Sequence, residues 1–503
     1  MADERRCTVG LDLGTSGMKG VALDGSGRVA ARAQCGYPTS RPEPGASEQD
    51  PGDWLRATAS VLGELASACD PRGWAGIGLS GMIPTLVAAD ARGEAIGAAV
   101  TWEDARADSF ATSLEDAVGA RALFEVTGQR VDGRYLVPML LRLLEEARGR
   151  GRTERPVATI RSAKDHLFAW LTGDLATDPS TATGFGCYDL LGETWSAPVT
   201  EAAAALAGGA LPELPPIVAS TTWSPLQASR AAALGLPAGV PVVVGAADSV
   251  LGALGLGVER AGSVAYVAGT SSVVLGLSER AIFDEQRRCL VTPLALPGLF
   301  GIEMDLLATG SSLAWLAGLF GSTDVGGCAE LASDLEPGDA PLFLPYLGGG
   351  EQGALWDPTL RGALLGLELR HGRGHLARGL LDGIVVESRR CIAVLEELGI
   401  ACDTIHVAGG SASSSAFLAG LADATGHEVR LAGDGEVDVS AIGAARLVAV
   451  ALLGASAPTE GAVAREGARA VVEPDPGRSA AWDALARSYD EARAGIRRTS
   501  ERG

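Results

Sequence analysis

Val9-Gly10-Leu11-Asp12-Leu13-Gly14-Thr15-Ser16-Gly17-Met18-Lys19-Gly20-Val21-Ala22-Leu23 alternates apolar residues through a Gly-rich break and runs into Asp24-Gly25-Ser26-Gly27. Such a pattern predicts strand, phosphate-sized turn, strand, hairpin and strand over residues 8–29. The same grammar returns at Gly262-Ser263-Val264-Ala265-Tyr266-Val267-Ala268-Gly269-Thr270-Ser271-Ser272, where Thr270 follows Thr15 by 255 residues. A half-chain spacing is what an internally duplicated, two-lobed protein gives, with one Gly-Thr-Ser turn from each lobe facing a central cleft. The lobes are not identical: Val267 stands where Asp12 stands in the first. One such turn alone reads as a hairpin with a polar tip. Two together suit an anion, because Gly14 lets the backbone approach closely while amides and the Thr15 and Ser16 hydroxyls donate to phosphate oxygens.

The chain has 503 residues, more than one hydrophobic core usually organises, so two α/β domains of roughly 200–250 residues each are expected. Periodicity predicts helices at 54–68, 136–147 and 163–171, two short strands across 76–88, a buried strand at 239–245 and a packing helix at 479–496. The string Gly76-Ile77-Gly78-Leu79-Ser80-Gly81 matches a dinucleotide fingerprint, but that fingerprint must open a helix. Here Met82-Ile83-Pro84 and another strand pattern follow, so a Gly-rich strand is expected.

Forty-one basic residues against 62 acidic ones leave a net charge of −21, which disfavours nucleic acid and anionic membranes as partners. Only Lys19 and Lys164 are lysines, and neither lies in a G-K-[ST] sequence, so a P-loop is absent. The charged start leads straight into a strand and no long apolar run follows, so a cytoplasmic protein without a membrane span is expected. Eight scattered cysteines suggest neither zinc nor a disulfide framework, and His371 and His375 have no acidic partner at ligand spacing.

Two carboxylates carry the chemistry. Asp12 ends an apolar strand beside the first turn, where a metal ion near phosphates would compensate a costly buried charge; Mg²⁺, held through water, is the natural partner. Asp248 follows a buried strand, where it is either a helix cap or a general base.

These residues resemble the FGGY carbohydrate kinases, and within them the xylulokinase branch. The resemblance runs from Val9 to about Gly454. It is carried by the first turn, Ser47-Glu48-Gln49-Asp50-Pro51, Trp102-Glu103-Asp104-Ala105-Arg106, Thr127-Gly128, Lys164-Asp165 and Thr177-Asp178-Pro179-Ser180. It continues with Gly245-Ala246-Ala247-Asp248-Ser249, Gly269-Thr270-Ser271, Leu344-Pro345-Tyr346-Leu347, Ala408-Gly409-Gly410-Ser411 through Ser414, and Gly443-Ala444-Ala445-Arg446-Leu447.

The resemblance implies two actin-like, ribonuclease-H-like domains, residues 1–253 and 254–455, enclosing ATP and a sugar or polyol, with a tail at 456–503. It also implies ATP-dependent phosphorylation of a sugar hydroxyl, with Asp248 as proton acceptor and Asp12 near metal and phosphates. Thr15, Ser16, Gly17, Lys19, Gly269, Thr270, Gly310, Gly410, Ser411 and Ser414 fall at nucleotide-contacting places. Met82, Ile83, Trp102, Asp104 and Tyr135 fall around the substrate, and a homodimer is the family habit. Where xylulokinases carry Gln-Met-His this chain has Met82-Ile83-Pro84, and the family's G-E-R-T-P block is Gly350-Glu351-Gln352-Gly353-Ala354. The sugar therefore stays open between xylulose or a related ketose and another polyol, sugar acid or specialised-metabolite sugar. A non-catalytic, actin-like ATP-binding regulator is the alternative of a different class, disfavoured by the presence of both Asp12 and Asp248.

Overall fold

The computed structural model describes residues 6–149, 156–410, 414–433, 438–454 and 468–500. The chain forms two compact units. The first comprises Met1–Gly255, Val291–Phe300 and Asp438–Pro458, and the second Leu256–Leu290, Gly301–Val437 and Thr459–Gly503.

A six-stranded sheet organises the first unit, in the order Trp223–Pro225, Pro241–Ala247, Trp74–Gly81, Cys7–Leu13, Gly17–Leu23, Val29–Gly36. The opening strands form an antiparallel meander, while Cys7–Leu13, Trp74–Gly81 and Pro241–Ala247 run parallel. On one face lies helix Pro51–Ala68, begun by Asp50, whose side chain accepts from the Gly52 amide, and by a proline in the first turn. Its Trp54, Val61, Leu62 and Leu65 are fully buried with Leu11, and Gly20 leaves room for Val61 and Leu65.

On the opposite face of the same strands Gly10 and Gly78 lie flush against helix Val439–Leu453. A Cβ on Gly10 would stand 1.9 Å from the Ala441 carbonyl oxygen, and one on Gly78 2.2 Å from that of Ala444. Chain order groups this helix with the second half, yet its packing is in the first unit. It also crosses helix Asp248–Gly255 at a pair of glycines: a Cβ on Gly443 would reach 1.8 Å from Leu251 O, and one on Gly255 1.9 Å from Val439 O.

The second unit repeats the pattern. Ser263–Ala268 pairs antiparallel with Ser272–Ser278 and parallel with Thr404–Ala408, which pairs parallel with Glu428–Ala432; Ala468–Val472 adds an antiparallel strand. Helices Arg373–Glu397 and Ser415–Thr425 pack together, with Tyr266 stacked at a tilt on Phe417 and bonded to Ser388 at 2.9 Å. The helix expected at 479–496 spans Ser479–Ser500 and buries Trp482 and Tyr489.

Residues 76–81 lie in a strand and open no helix, which removes the dinucleotide reading. His371 and His375 each accept a backbone N–H through Nδ1, from Glu368 and Gly372. All eight cysteines are free thiols. Among the described residues no helix is long and apolar enough to cross a membrane.

Candidate active site

In the first unit the Gly14–Ser16 turn joins the first two strands, closed by the Gly14 amide on Gly17 O at 3.1 Å. Three side chains brace it. Tyr37 donates its hydroxyl to Gly14 O, Gln49 donates to Thr15 O at 2.7 Å, and the Trp102 indole N–H donates to the Thr15 hydroxyl at 2.9 Å. Trp54 in turn fixes Gln49 through Oε1 at 2.9 Å. Gly17 is required because a Cβ there would lie 2.8 Å from Cys35 O, while Ser16 is exposed.

Asp12 is 9% exposed and accepts from Ser80 Oγ at 2.7 Å. Burial pushes its carboxyl above the ordinary carboxylate range, against the opposing pull of the Ser80 bond and the Lys19 charge. Lys19, directly across the strand pair from Asp12, places Nζ 2.9 Å from Asp438 at the start of helix Val439–Leu453. Burial disfavours the Lys19 charge, but the bond to Asp438 outweighs it and raises the group.

Asp248 is the first residue of helix Asp248–Gly255, at the C-terminal end of its strand. Its carboxylate accepts from the Ser249 amide at 2.9 Å, and its carbonyl accepts from Ser440 Oγ at 2.9 Å. Asp12 and Asp248 therefore stand at the C-terminal ends of parallel strands with only Trp74–Gly81 between them, the edge at which open α/β sheets bind ligands.

Met82 is buried and donates its amide to Leu13 O at 2.9 Å. Ile83 lies over Gly184, where a Cβ would stand 2.6 Å from its Cγ1. Two expected substrate contacts turn inward. Asp104 has no exposed surface and is engaged by the Ser47 amide at 2.9 Å and the Arg106 guanidinium at 2.6 Å. Burial works against its charge, but Arg106 and the backbone donors hold the carboxyl below its usual range. Arg106 also pairs with Glu43 and Glu48. Tyr135 donates its hydroxyl to Gln129 at 3.0 Å, and Gln129 donates to Val291 O at 2.9 Å.

In the second unit the Gly269 amide bonds Ser271 O at 2.8 Å, leaving Thr270 exposed. Thr270 O accepts from Ser311 N and Oγ, both at 3.0 Å, which sets the turn against the start of helix Gly310–Leu319. Next to it, Gly409 has a φ of +110° and comes so near that a Cβ would be 1.9 Å from Ala268 O. Space is open around Gly410. Ser414 is buried and starts helix Ser415–Thr425, whereas Ser411 lies outside the described residues.

Sequence reasoning passed over Ser80, Tyr37 and Asp438. Ser80 lies inside the string read only as a Gly-rich strand, and Asp438 is brought to Lys19 only by tertiary packing across 419 residues.

Comparison with known proteins matches residues 7–255 to the N-terminal domain and 264–452 to the C-terminal domain of the FGGY family of carbohydrate kinases. The chain belongs to this family and is an ATP-dependent carbohydrate kinase. It is 30% identical over 444 residues to xylulose kinase of Escherichia coli (strain K12), covering 88% of this chain and 90% of the relative. The crystal structure of xylulose kinase from Rhodospirillum rubrum superposes with a TM-score of 0.85 at 29% identity, covering 99% and 100% of the two chains. Gluconokinase of Bacillus subtilis (strain 168) is 24% identical over 435 residues, 84% of this chain and 83% of the relative.

Proposed function

We propose that this kinase transfers the γ-phosphoryl group of ATP to a hydroxyl of a ketose of the xylulose type, with Asp248 as proton acceptor. The observation that carries the mechanism is the placement of Asp12 and Asp248 at one edge of one sheet, separated by a single parallel strand. Asp248 aligns the acceptor hydroxyl and takes its proton as the oxygen bonds to phosphorus; the bond to the β,γ-bridging oxygen breaks and ADP leaves.

Asp12 fits a cation site, because it is a buried carboxylate whose charge is poorly compensated by its one hydroxyl partner. It would hold Mg²⁺ through water, and the ion when bound neutralises charge on the phosphates. Thr15, Ser16, Gly17 and Lys19 receive phosphate oxygens from the first turn. Gly269, Thr270, Gly310, Gly410, Ser411 and Ser414 serve the nucleotide from the second unit. Trp102 and Ile83 face the sugar, and the buried Met82, Asp104 and Tyr135 hold the wall in shape through their internal bonds. The protein acts in the cytoplasm, as a homodimer.

A sugar acid is the second reading, favoured by the gluconokinase relative. Sugar-dependent ADP release across a panel of ketoses, aldoses, polyols and sugar acids tests both. A ketose must lead the panel, and a leading sugar acid would overturn the first reading in favour of the second.

A further inference from the structure

The strand that presents Asp248 is broken just before it. Val242 and Val243 pair with Ile77 and Gly78, the register then shifts, and Ala246 and Ala247 pair with Ser80 and Gly81. Gly245 makes the irregularity possible: its φ is +79°, and a Cβ there would lie 1.6 Å from the Leu79 carbonyl oxygen. A bulge re-aims the residues that follow it and takes main-chain polar groups out of the ladder, and in a dry interior those groups need other partners.

Three partners supply them, and all three meet at one carboxylate. Lys164 Nζ donates to Val244 O at 3.1 Å, Ser220 O accepts from the Gly245 amide at 3.0 Å, and Ser180 Oγ accepts from the Ala247 amide at 2.9 Å. Asp178 binds each of these residues. Its Oδ1 is 3.1 Å from Lys164 Nζ, and its Oδ2 accepts the Ser180 hydroxyl at 2.5 Å and the Ser220 hydroxyl at 3.2 Å. Lys164 is completed by Asp165 at 2.8 Å.

Lys164 is 1% exposed, and Asp165 and Asp178 have no exposed surface. Burial opposes the ammonium charge, but the two carboxylates outweigh it and hold Lys164 protonated. Buried ion pairs of this kind are often no more stabilising than well-packed apolar side chains, so stability alone does not explain the cluster. Its directed bonds to Val244 and Ala247, and through Ser220 to Gly245, do have a specific consequence: they fix the backbone that leads into Asp248.

The geometry points to Asp178, with Lys164, Ser180 and Ser220, as a positioning cluster that holds the 244–247 bulge and so aims Asp248 at the acceptor hydroxyl. This rests on the reading of Asp248 as the proton acceptor. Small displacements of a reacting group are expensive, on the order of 100-fold for about 1 Å.

Ser180→Ala deletes one oxygen, frees the Ala247 amide and leaves no unpaired charge. With ATP and D-xylulose, kcat should fall about 10- to 100-fold while KM for both substrates stays within about three-fold. Ser220→Ala, which keeps the carbonyl and loses only the hydroxyl bond to Asp178, should give a smaller fall of the same kind. Asp248→Asn is measured alongside, and Ser180→Ala added to it should cause no further loss. An active Asp248→Asn enzyme overturns the base assignment itself. An inactive Asp248→Asn enzyme together with wild-type kcat in both serine variants overturns the positioning role alone, as does a loss confined to KM.

Discussion

Thr270 is an exposed residue at the tip of a turn whose backbone carbonyl, not its hydroxyl, ties it to the next helix start. Thr270→Val should therefore weaken ATP binding by about 1 kcal/mol or more, the loss of a hydrogen bond to a charged group, with little effect on folding. Titration calorimetry with ATP checks it, and unchanged affinity would remove Thr270 from the site. Glu351 behaves differently. It is buried, accepts from the Leu307 and Gln352 amides, and lies near Glu387. Burial above all, with the Glu387 charge, pushes its carboxyl up to about 8 from 4.5, against the pull of the Leu307 amide. The folded state thus binds the proton more tightly than the unfolded chain, so this group's contribution is fully present below pH 4.5 and is lost as pH rises toward 8. Glu351→Gln keeps both backbone bonds and should remove that slope, leaving the variant more stable than the parent at pH 8 by an amount on the order of a few kcal/mol. Urea midpoints at pH 5 and pH 8 decide it, and parallel shifts for the two proteins would contradict it. The strand-end positions of Asp12 and Asp248 and the turn position of Thr15 were readable, because each adjoins a Gly-rich turn or closes an apolar strand. The inward turn of Asp104 was not, since it depends on Ser47 and Arg106 meeting the carboxylate in three dimensions.

At the scale of elements, the glycines of the first sheet set how near the helices come. Gly443, in helix Val439–Leu453, touches the backbone of helix Asp248–Gly255, and the start of helix Val439–Leu453 brings Asp438 to Lys19 and Ser440 to the Asp248 carbonyl. A Cβ at 1.8 Å from Leu251 O cannot be accommodated without separating the two helices. Gly443→Ala should cost about 3 kcal/mol or more in stability, at the upper end of overpacking effects, and should lower kcat through displacement of the Asp248 backbone. Thermal unfolding with kinetics at a permissive temperature tests this, and a variant with parental Tm would contradict the crossing. The sequence announced the opening meander and a buried strand at 239–245, found two residues later at Pro241–Ala247, because periodicity and turn residues act locally. That residues 439–453 pack on the first sheet was illegible, since an apolar helix says what it buries and not against which partner.

On the scale of the whole molecule, the duplicated grammar around Thr15 and Thr270 corresponds to two sheets with the same antiparallel-then-parallel core, and family comparison divides the chain accordingly. Specificity was the least legible property, because the sugar pocket proposed around Ile83 and Trp102 is assembled only by tertiary packing. With Met82-Ile83-Pro84 in place of a polar triplet, D-xylulose should be used about 5- to 150-fold less efficiently than by an ordinary xylulose kinase, the cost of one buried hydroxyl without a partner. A kcat/KM for D-xylulose equal to that of such an enzyme would show the triplet to be neutral. The most direct test of the mechanism is Asp248→Asn, assayed for phosphoryl transfer and for ATP affinity in the same preparation. Transfer should vanish while ATP binding stays within a few-fold of the parent, and retained turnover would contradict the assignment of Asp248 as the base.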